Sequence, residues 1–574
     1  MAEKYKLIHE RVDDIPLLIG LAQRLRLPEI LDKHLGNHGN HKGLSNGWLA
    51  TIWLVYILSE GDHRKYSVED WVKKHKHTLE KLIGQPIRQV EFNDDRLGIV
   101  LRRLSQPDAW ESLEVDLWHI TVAVYEIEVS GVRLDSTTVS GYHTRTEDGV
   151  MQYGYSKDHR PDLPQLKLMA AAAEPSGHLL ASDVLSGDKA DDPLYLPMVE
   201  RVRQIVGKHG LLYVGDSKMS ALETRADIVS YGDYYLMPLP LTGKTREEVE
   251  DWISAVVDGE QCAHLIWNQE RLIGGGYEFE RILSTGVSGQ HVDWTERVQL
   301  VRSVSLAKYE SQKLDQRLSK AETALLSLTP EPGRGKRQYR DEATFHAAVA
   351  KILEQYKVTG LLDVTWQREE QKITRYVGRG RGGPNRRKKT ETLVRYVITG
   401  VQRNHSAIQK RKHRLGWRIH ATNMPEEQMS LTQSVIHYRG GWSLERDFDL
   451  VKNRPLGISP LYVRRDDQII GLTHLLTLAL RLLTLIQTQV RRGLAQTGEK
   501  LFGLYEGQPN RKTSRPTGVR LLKAFARGEI TLTRIQVGER HSWHITPLST
   551  WQKQILAYLR LSPSLYKRLL ENSS

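Results

Sequence analysis

The sequence predicts an α/β protein with a helical N-terminal region and a core interrupted by a long insertion. Three observations carry this. Short apolar runs bounded by Gly, Pro and Asp begin at Ser130 and alternate with helical periodicity as far as Met237. Residues before about Glu128 show helical periodicity throughout. At 574 residues the chain exceeds what one hydrophobic core supports, so several units are expected.

The elements follow in order. Pro16 to Leu21 opens an amphipathic helix, and Trp48 to Leu58 reads as a strongly apolar one. Ser67-Val68-Glu69-Asp70 has the spacing of a capping box, which predicts a helix start there. A further helix runs from Asp108 through Tyr125. Residues 1–128 thus form a helical domain, whose Arg64, Lys65, Lys73, Lys74, Lys76, Arg102 and Arg103 either meet a polyanion or solvate a helix face. From Ser130 come strands at Gly131 to Leu134, Gln165 to Ala172 and Leu179 to Leu185. They are followed by a helix from Pro193 to Lys208, a doubly buried strand from Leu211 to Gly215, a helix from Ala221 to Val229 and a strand from Tyr234 to Met237. Three strands, helix, strand, helix, strand is the order of a ribonuclease-H-like domain, placing its first part at 129–244.

Residues 245–430 mix β segments (Ala263 to Trp267, Leu393 to Thr399) with polar helices, including a coiled-coil-like one from Lys308 to Leu326. This stretch reads as a mainly β insertion. Its Gly378 to Thr390 segment is a glycine-rich loop with six basic groups in thirteen residues, either solvated or ordering on a polyanion backbone. The core resumes over 431–496 with a helix from Trp442 to Lys452 and a long helix after Asp467. Residues 497–574 form a small C-terminal region suited to dimerisation or DNA contact.

Bulk properties narrow the function. The formal net charge is +13, which favours a phosphate backbone or acidic surface as partner. The only cysteine is Cys262, so one chain holds neither a disulfide framework nor a cysteine zinc site, and a reducing cytoplasmic compartment is expected. The apolar stretch from Ile469 to Ile486 contains His474 and Arg481, which favours a buried helix over a membrane span. His34, His38 and His41 have metal-like spacing but no acidic or Cys company, so they read as solvated. Gly243-Lys244-Thr245 lacks the first glycine of a phosphate loop, since Pro238 stands there.

The chemistry concentrates in three acids. Asp135 and Asp216 follow apolar strands, and strand ends in an open α/β sheet converge on one edge. Glu445 lies on a helix able to cross that edge. Two-metal phosphodiester chemistry needs such a cluster, because the ions stand about 3.5–4 Å apart between hard anionic oxygens. An Asp after a strand is also a common turn or cap residue, and Asp183, Asp188, Asp191, Asp192 and Glu223 compete. Tyr438, Glu445 and Lys452 recur every seven residues, one stripe if the segment is helical throughout. Trp442 stands beside it, and Leu444, Phe448 and Val451 form the stripe to bury.

These residues resemble the DDE transposases of bacterial insertion sequences, in the superfamily with a Tyr-x2-Arg-x3-Glu-x6-Lys signature. Here the signature reads Tyr438, Gly441, Glu445 and Lys452. The Asp135-Ser136-Thr137-Thr138 segment, Gly154 to Leu163 and Tyr213-Val214-Gly215-Asp216 resemble its long-chain branch with a helical N-terminal domain. The resemblance implies Asp135, Asp216 and Glu445 as ligands of two Mg²⁺ or Mn²⁺ ions. It implies double-stranded DNA as partner, a homodimer on paired DNA ends, and a cytoplasmic, nucleoid-associated protein of bacteria without a membrane anchor. It implies Trp417 as receiver of a flipped base, Trp442 as the aromatic before the glutamate, and Tyr438 and Lys452 as contacts to the transferred end. Gly441 departs from the signature; Arg439 replaces the missing arginine only if the backbone bends at Gly440-Gly441. Lys157 and Arg160 face flanking DNA or a turn, and Arg379, Arg381, Arg386, Arg387 and Lys388 are candidate backbone contacts. The expected activity is cut-and-paste transposition at terminal inverted repeats. The alternatives are a structure-selective nuclease on the same fold, or an inactive transposase-derived DNA-binding regulator.

Overall fold

The computed structural model describes the chain apart from residues 1–4, 38–41, 89, 288, 380–384, 386, 509, 527–529, 538–539 and 571–574. It begins with a strand, β1 (Tyr5–Arg11), where the helical pattern had predicted none. Helices then run from Ile15–Arg24 to Pro107–Tyr125. Asn46–Glu60 is buried on nearly every face, with Ser45 accepting from Trp48 N at 3.4 Å. The expected cap at Ser67 is displaced. The helix Lys65–Lys74 has already begun at Ser67; its N-cap is Arg64, which makes no side-chain capping bond and whose own backbone N donates to Asp62 Oδ1 at 3.1 Å.

The core sheet starts with the antiparallel meander β2 (Gly131–Ser140), β3 (Gln165–Glu174) and β4 (His178–Ser186). After the helix Tyr195–Val206, the short β5 (Leu212–Val214) lies parallel to β2. The helix Leu222–Ser230 leads to β6 (Tyr234–Pro238), parallel to β5. Every residue of β3 is buried, so this sheet is covered on both faces, which is why its strands read as continuous apolar runs.

The insertion is only partly separate. Its strands β7 (His264–Asn268), β8 (Arg271–Val287) and β9 (Gln290–Ser303) extend the core sheet. The long strands β10 (Leu362–Tyr376) and β11 (Lys388–Arg403) pair only with each other. They stand on a small apolar core with Leu314, Leu318, Phe345, Tyr396 and Ile398. The final strand, β12 (Trp417–Thr422), slots between β6 and β9. The resulting sheet has nine strands in the order β4-β3-β2-β5-β6-β12-β9-β8-β7.

The helices Leu431–Arg439, Trp442–Lys452 and Asp466–Thr497 follow. Asp466–Thr497 is long and apolar enough to cross a membrane by length and composition, but its apolar span is buried inside the protein. Its Arg481, with Arg201 of Tyr195–Val206, grips Glu114 of Pro107–Tyr125, and all three are buried. His474 stacks on Trp110 at 4.0 Å. The N-terminal helices are therefore bound to the core by a charged cluster as well as by apolar packing. At the C-terminus, β13 (Thr531–Val537) pairs with both β1 and β14 (Arg540–Ile545). The two chain ends thus share one sheet. Nothing in β1 alone specifies a partner more than five hundred residues away.

Candidate active site

The register of β2 and β5 builds the site. Arg133 pairs with Val214 at the last point where the two strands run together. Asp135, two residues further along β2, and Asp216, two residues past the end of β5, both lie just beyond that point. Asp135 does not follow its strand as expected; β2 continues to Ser140 and places it mid-strand, as one of the two residues of β2 that are not fully buried. Beyond Val214 the chain leaves the sheet: Gly215 allows Tyr195 and Met219 to close in, and Asp216 caps a short turn at Ser217–Ser220.

Glu445 arrives from above. Its helix Trp442–Lys452 docks through Leu444, Phe448 and Val451, all buried as the stripe predicts, and leaves Glu445 exposed in the first turn. Glu445 acts electrostatically on Asp135. Desolvation pushes Asp135 up to about 6; Lys157 opposes this, and the charges of Asp216 and Glu445 add to it. Asp216 and Glu445 thus both bear on Asp135 through their charge. Among the described residues, no group of three or more His, Cys, Asp and Glu side chains stands close enough to chelate an ion. The donor set nevertheless suits a hard divalent cation: all its groups are carboxylates, and their mutual repulsion calls for positive charge between them.

Neighbours hold each acid in place. Asp216 Oδ1 accepts from Tyr195 Oη at 2.6 Å and from Lys218 N at 2.8 Å. Asp135 Oδ1 accepts from Ser136 N at 2.7 Å, and Lys157 Nζ stands 3.7 Å from it. Lys157 also donates to Ser136 O at 2.6 Å and lies 3.6 Å from Asp191 Oδ2. Sequence reasoning turned Lys157 toward DNA or a turn; the structure turns it into the acidic site. Asp191, one of the competing acids, is occupied instead with Lys167, at 2.5 Å, and Ser136. Tyr195 was missed because nothing local marks it. It is a fully buried tyrosine whose hydroxyl happens to face the second aspartate.

The remaining candidates divide. Tyr438 is half-buried, 4.6 Å from His420 between ring centroids, and within electrostatic reach of Asp216 and Asp135. It does not share a helix with Glu445, because the helix breaks between Arg439 and Trp442 and the single stripe is interrupted. Arg439 is exposed and donates to Ile273 O on β8 at 3.2 Å. Lys452 Nζ bonds Asp158 Oδ1 at 2.5 Å. Trp442 opens the glutamate helix, but its side chain lies outside the described residues. Trp417 sits at the start of β12 opposite Arg302, its indole N–H donating to His413 O at 3.0 Å. Arg160 is exposed and paired with Asp162, with no contact to the acids. Arg379, Arg387 and Lys388 are exposed around the tip of the β10–β11 hairpin, and Arg381 and Arg386 lie outside the described residues. The described residues of the basic segment therefore flank one end of a β arm about 50 Å long. His34 pairs with Asp116 at 2.7 Å, and His38 and His41 lie outside the described residues.

The mixed sheet thus carries Asp135 within β2 and Asp216 just past β5. The family model of the transposase DDE domain matches residues 130–482, and the chain belongs to that family. The match spans all three acids. A domain of unknown function, DUF4277, matches residues 7–114. Among solved structures, a piggyBac transposase synaptic complex with hairpin DNA is similar over 99% of this chain and 88% of that one, at 8% identity and a TM-score of 0.35. No curated protein matches the chain.

Proposed function

We propose that this transposase binds double-stranded DNA at the terminal inverted repeats of a bacterial insertion sequence and moves it by cut-and-paste. One strand is cut by hydrolysis, and the freed 3′-hydroxyl is then joined to target DNA. The observation supporting this reading is that Asp135 on β2 and Asp216 just past the parallel β5 both follow the last paired point, Arg133 with Val214, and that the charges of Asp216 and Glu445 both bear on Asp135. Asp135, Asp216 and Glu445, on a ribonuclease-H-like core, are the residues to hold two Mg²⁺ or Mn²⁺ ions. Such ions, when bound, acidify water and stabilise the charge on the leaving oxygen.

The protein's own groups do the rest. Tyr195 and the Lys218 amide fix the rotamer of Asp216. Lys157 offsets the charge of Asp135 before any ion is bound. Tyr438 stands beside the aspartates to meet the DNA end, and Lys452 joins it on exchanging Asp158 for a phosphate. Trp417 is the candidate receiver for a flipped base. The basic hairpin tip meets the backbone of DNA away from the cut. Two ends must be brought together, so the working form is a homodimer on DNA, in the cytoplasm at the nucleoid.

The test uses purified protein, end DNA and Mg²⁺. Nicking is expected at the element boundary and joining with pre-cut ends. Asp216→Ala is expected to abolish both and keep end binding. Nicking that survives in that variant would reject the site assignment. Nicking without joining in the wild type would leave a nuclease.

A further inference from the structure

One buried guanidinium links the strand that carries Asp135 to the junction ahead of the glutamate helix. Arg133 lies two residues before Asp135 on the same face of β2 and is 7% exposed. Its Nε bonds Glu174 Oε1 at 2.7 Å, and its Nη2 donates to His437 O at 3.0 Å, at the end of the helix Leu431–Arg439. Glu174 Oε2 in turn lies 2.7 Å from His437 Nε2. Arg133 also packs against Gly441, four residues before Glu445. A Cβ built there would fall 2.5 Å from Arg133 Nη1 and 2.8 Å from its Cζ. Gly441 has φ −66° and ψ 0°, which any residue adopts. A methyl at this junction would therefore have to displace the Arg133 guanidinium, while the backbone itself would accept any residue.

The geometry explains why apolar docking alone is insufficient. Leu444, Phe448 and Val451 bind the glutamate helix to the core through non-directional contact, which tolerates sliding and rotation. Hydrogen bonds at the helix junction are directional and fix its position along the strand. We propose that Arg133 is a positioning residue: packed against Gly441 and held by Glu174 and His437, it sets where Glu445 stands relative to Asp135. This rests on the reading of the three acids as metal ligands.

The experiment measures Mn²⁺ binding to the full chain by calorimetry, with metal-free melting and end-DNA binding alongside. Gly441→Ala is expected to weaken Mn²⁺ binding by about 10- to 100-fold, the range seen when groups that orient metal ligands are altered, with melting and end binding near wild type. Arg133→Ala is expected to weaken it similarly. Adding Gly441→Ala to Arg133→Ala is expected to cost nothing more, because the methyl enters vacated space. Wild-type Mn²⁺ binding by Gly441→Ala overturns the proposal, as do effects that multiply in the double variant. If Arg133→Ala fails to fold, Gly441→Ala alone decides. Asp135→Asn separates the two readings. If it binds Mn²⁺ like wild type, the metal-site reading falls and the proposal with it; if it no longer binds while Gly441→Ala still does, only the positioning role falls.

Discussion

Tyr195→Phe isolates a single hydrogen bond behind the second aspartate. The ring is fully buried against Gly215 and Met219, so phenylalanine fills the same space and the fold is preserved. What disappears is the bond of 2.6 Å from Oη to Asp216 Oδ1. A hydrogen bond to a charged group contributes about 1.5–3 kcal/mol. At about 1.4 kcal/mol per decade, that is roughly a 10- to 100-fold effect, which agrees with the range for groups that orient metal ligands. The Lys218 amide remains on the same oxygen, so the lower half of the range is expected. The assay is nicking of end DNA across a Mg²⁺ titration. The half-saturating Mg²⁺ concentration is expected to rise, with end binding unchanged and melting shifted little. An unchanged Mg²⁺ curve would refute the reasoning, because Tyr195 would then pack beside Asp216 without orienting it. A fall in end binding equal to the fall in nicking would also refute it, because the effect would not be local.

Three further outcomes follow from the structure. Glu114→Ala leaves Arg201 and Arg481 buried without their shared carboxylate, which is expected to cost about 3–5 kcal/mol, read as a lowered urea midpoint. Asp14 and Asp447 are buried carboxyls pushed up to about 7 by desolvation, against about 3.9 in an unfolded chain. Folding favours their protonated forms, so their contribution is fully present below about pH 4 and is lost as pH rises through about 7; in metal-free urea titrations, Asp14→Asn and Asp447→Asn are each expected to flatten this decline relative to wild type. Replacing Arg379, Arg387 and Lys388 with alanine is expected to weaken DNA binding equally across sequences and to reduce the salt slope by about 0.9 for each phosphate no longer neutralised, without moving the nick. An unchanged slope would remove the hairpin tip from the DNA interface.

Much of the site was legible because its signals are local. Leu211 to Gly215 reads as a buried strand from its own residues, and Asp216 stands immediately after it; the strand itself spans Leu212–Val214. Leu444, Phe448 and Val451 declare a buried stripe by spacing alone, which fixes the direction of Glu445 on the same helix. Where the reading failed, the missing information was a remote partner. The extent of β2 past Asp135 depends on five paired residues of β3, Gln165 to Met169. The inward turn of Lys157 depends on Ser136 and Asp191. The helix break after Arg439 interrupts a heptad spacing that, by itself, predicts continuity.

The sequence by itself determined which core segments are strands and helices, and that Asp216 follows one of those strands, because periodicity is a property of near neighbours. Tertiary structure alone decided that β1 and β13 close the chain ends into one sheet. It alone extended the core sheet through β12 into the insertion and set Arg133 against Gly441. Those contacts join residues hundreds of positions apart, and they form because packing and paired hydrogen bonds offset the entropy of bringing them together, a balance that no local pattern records.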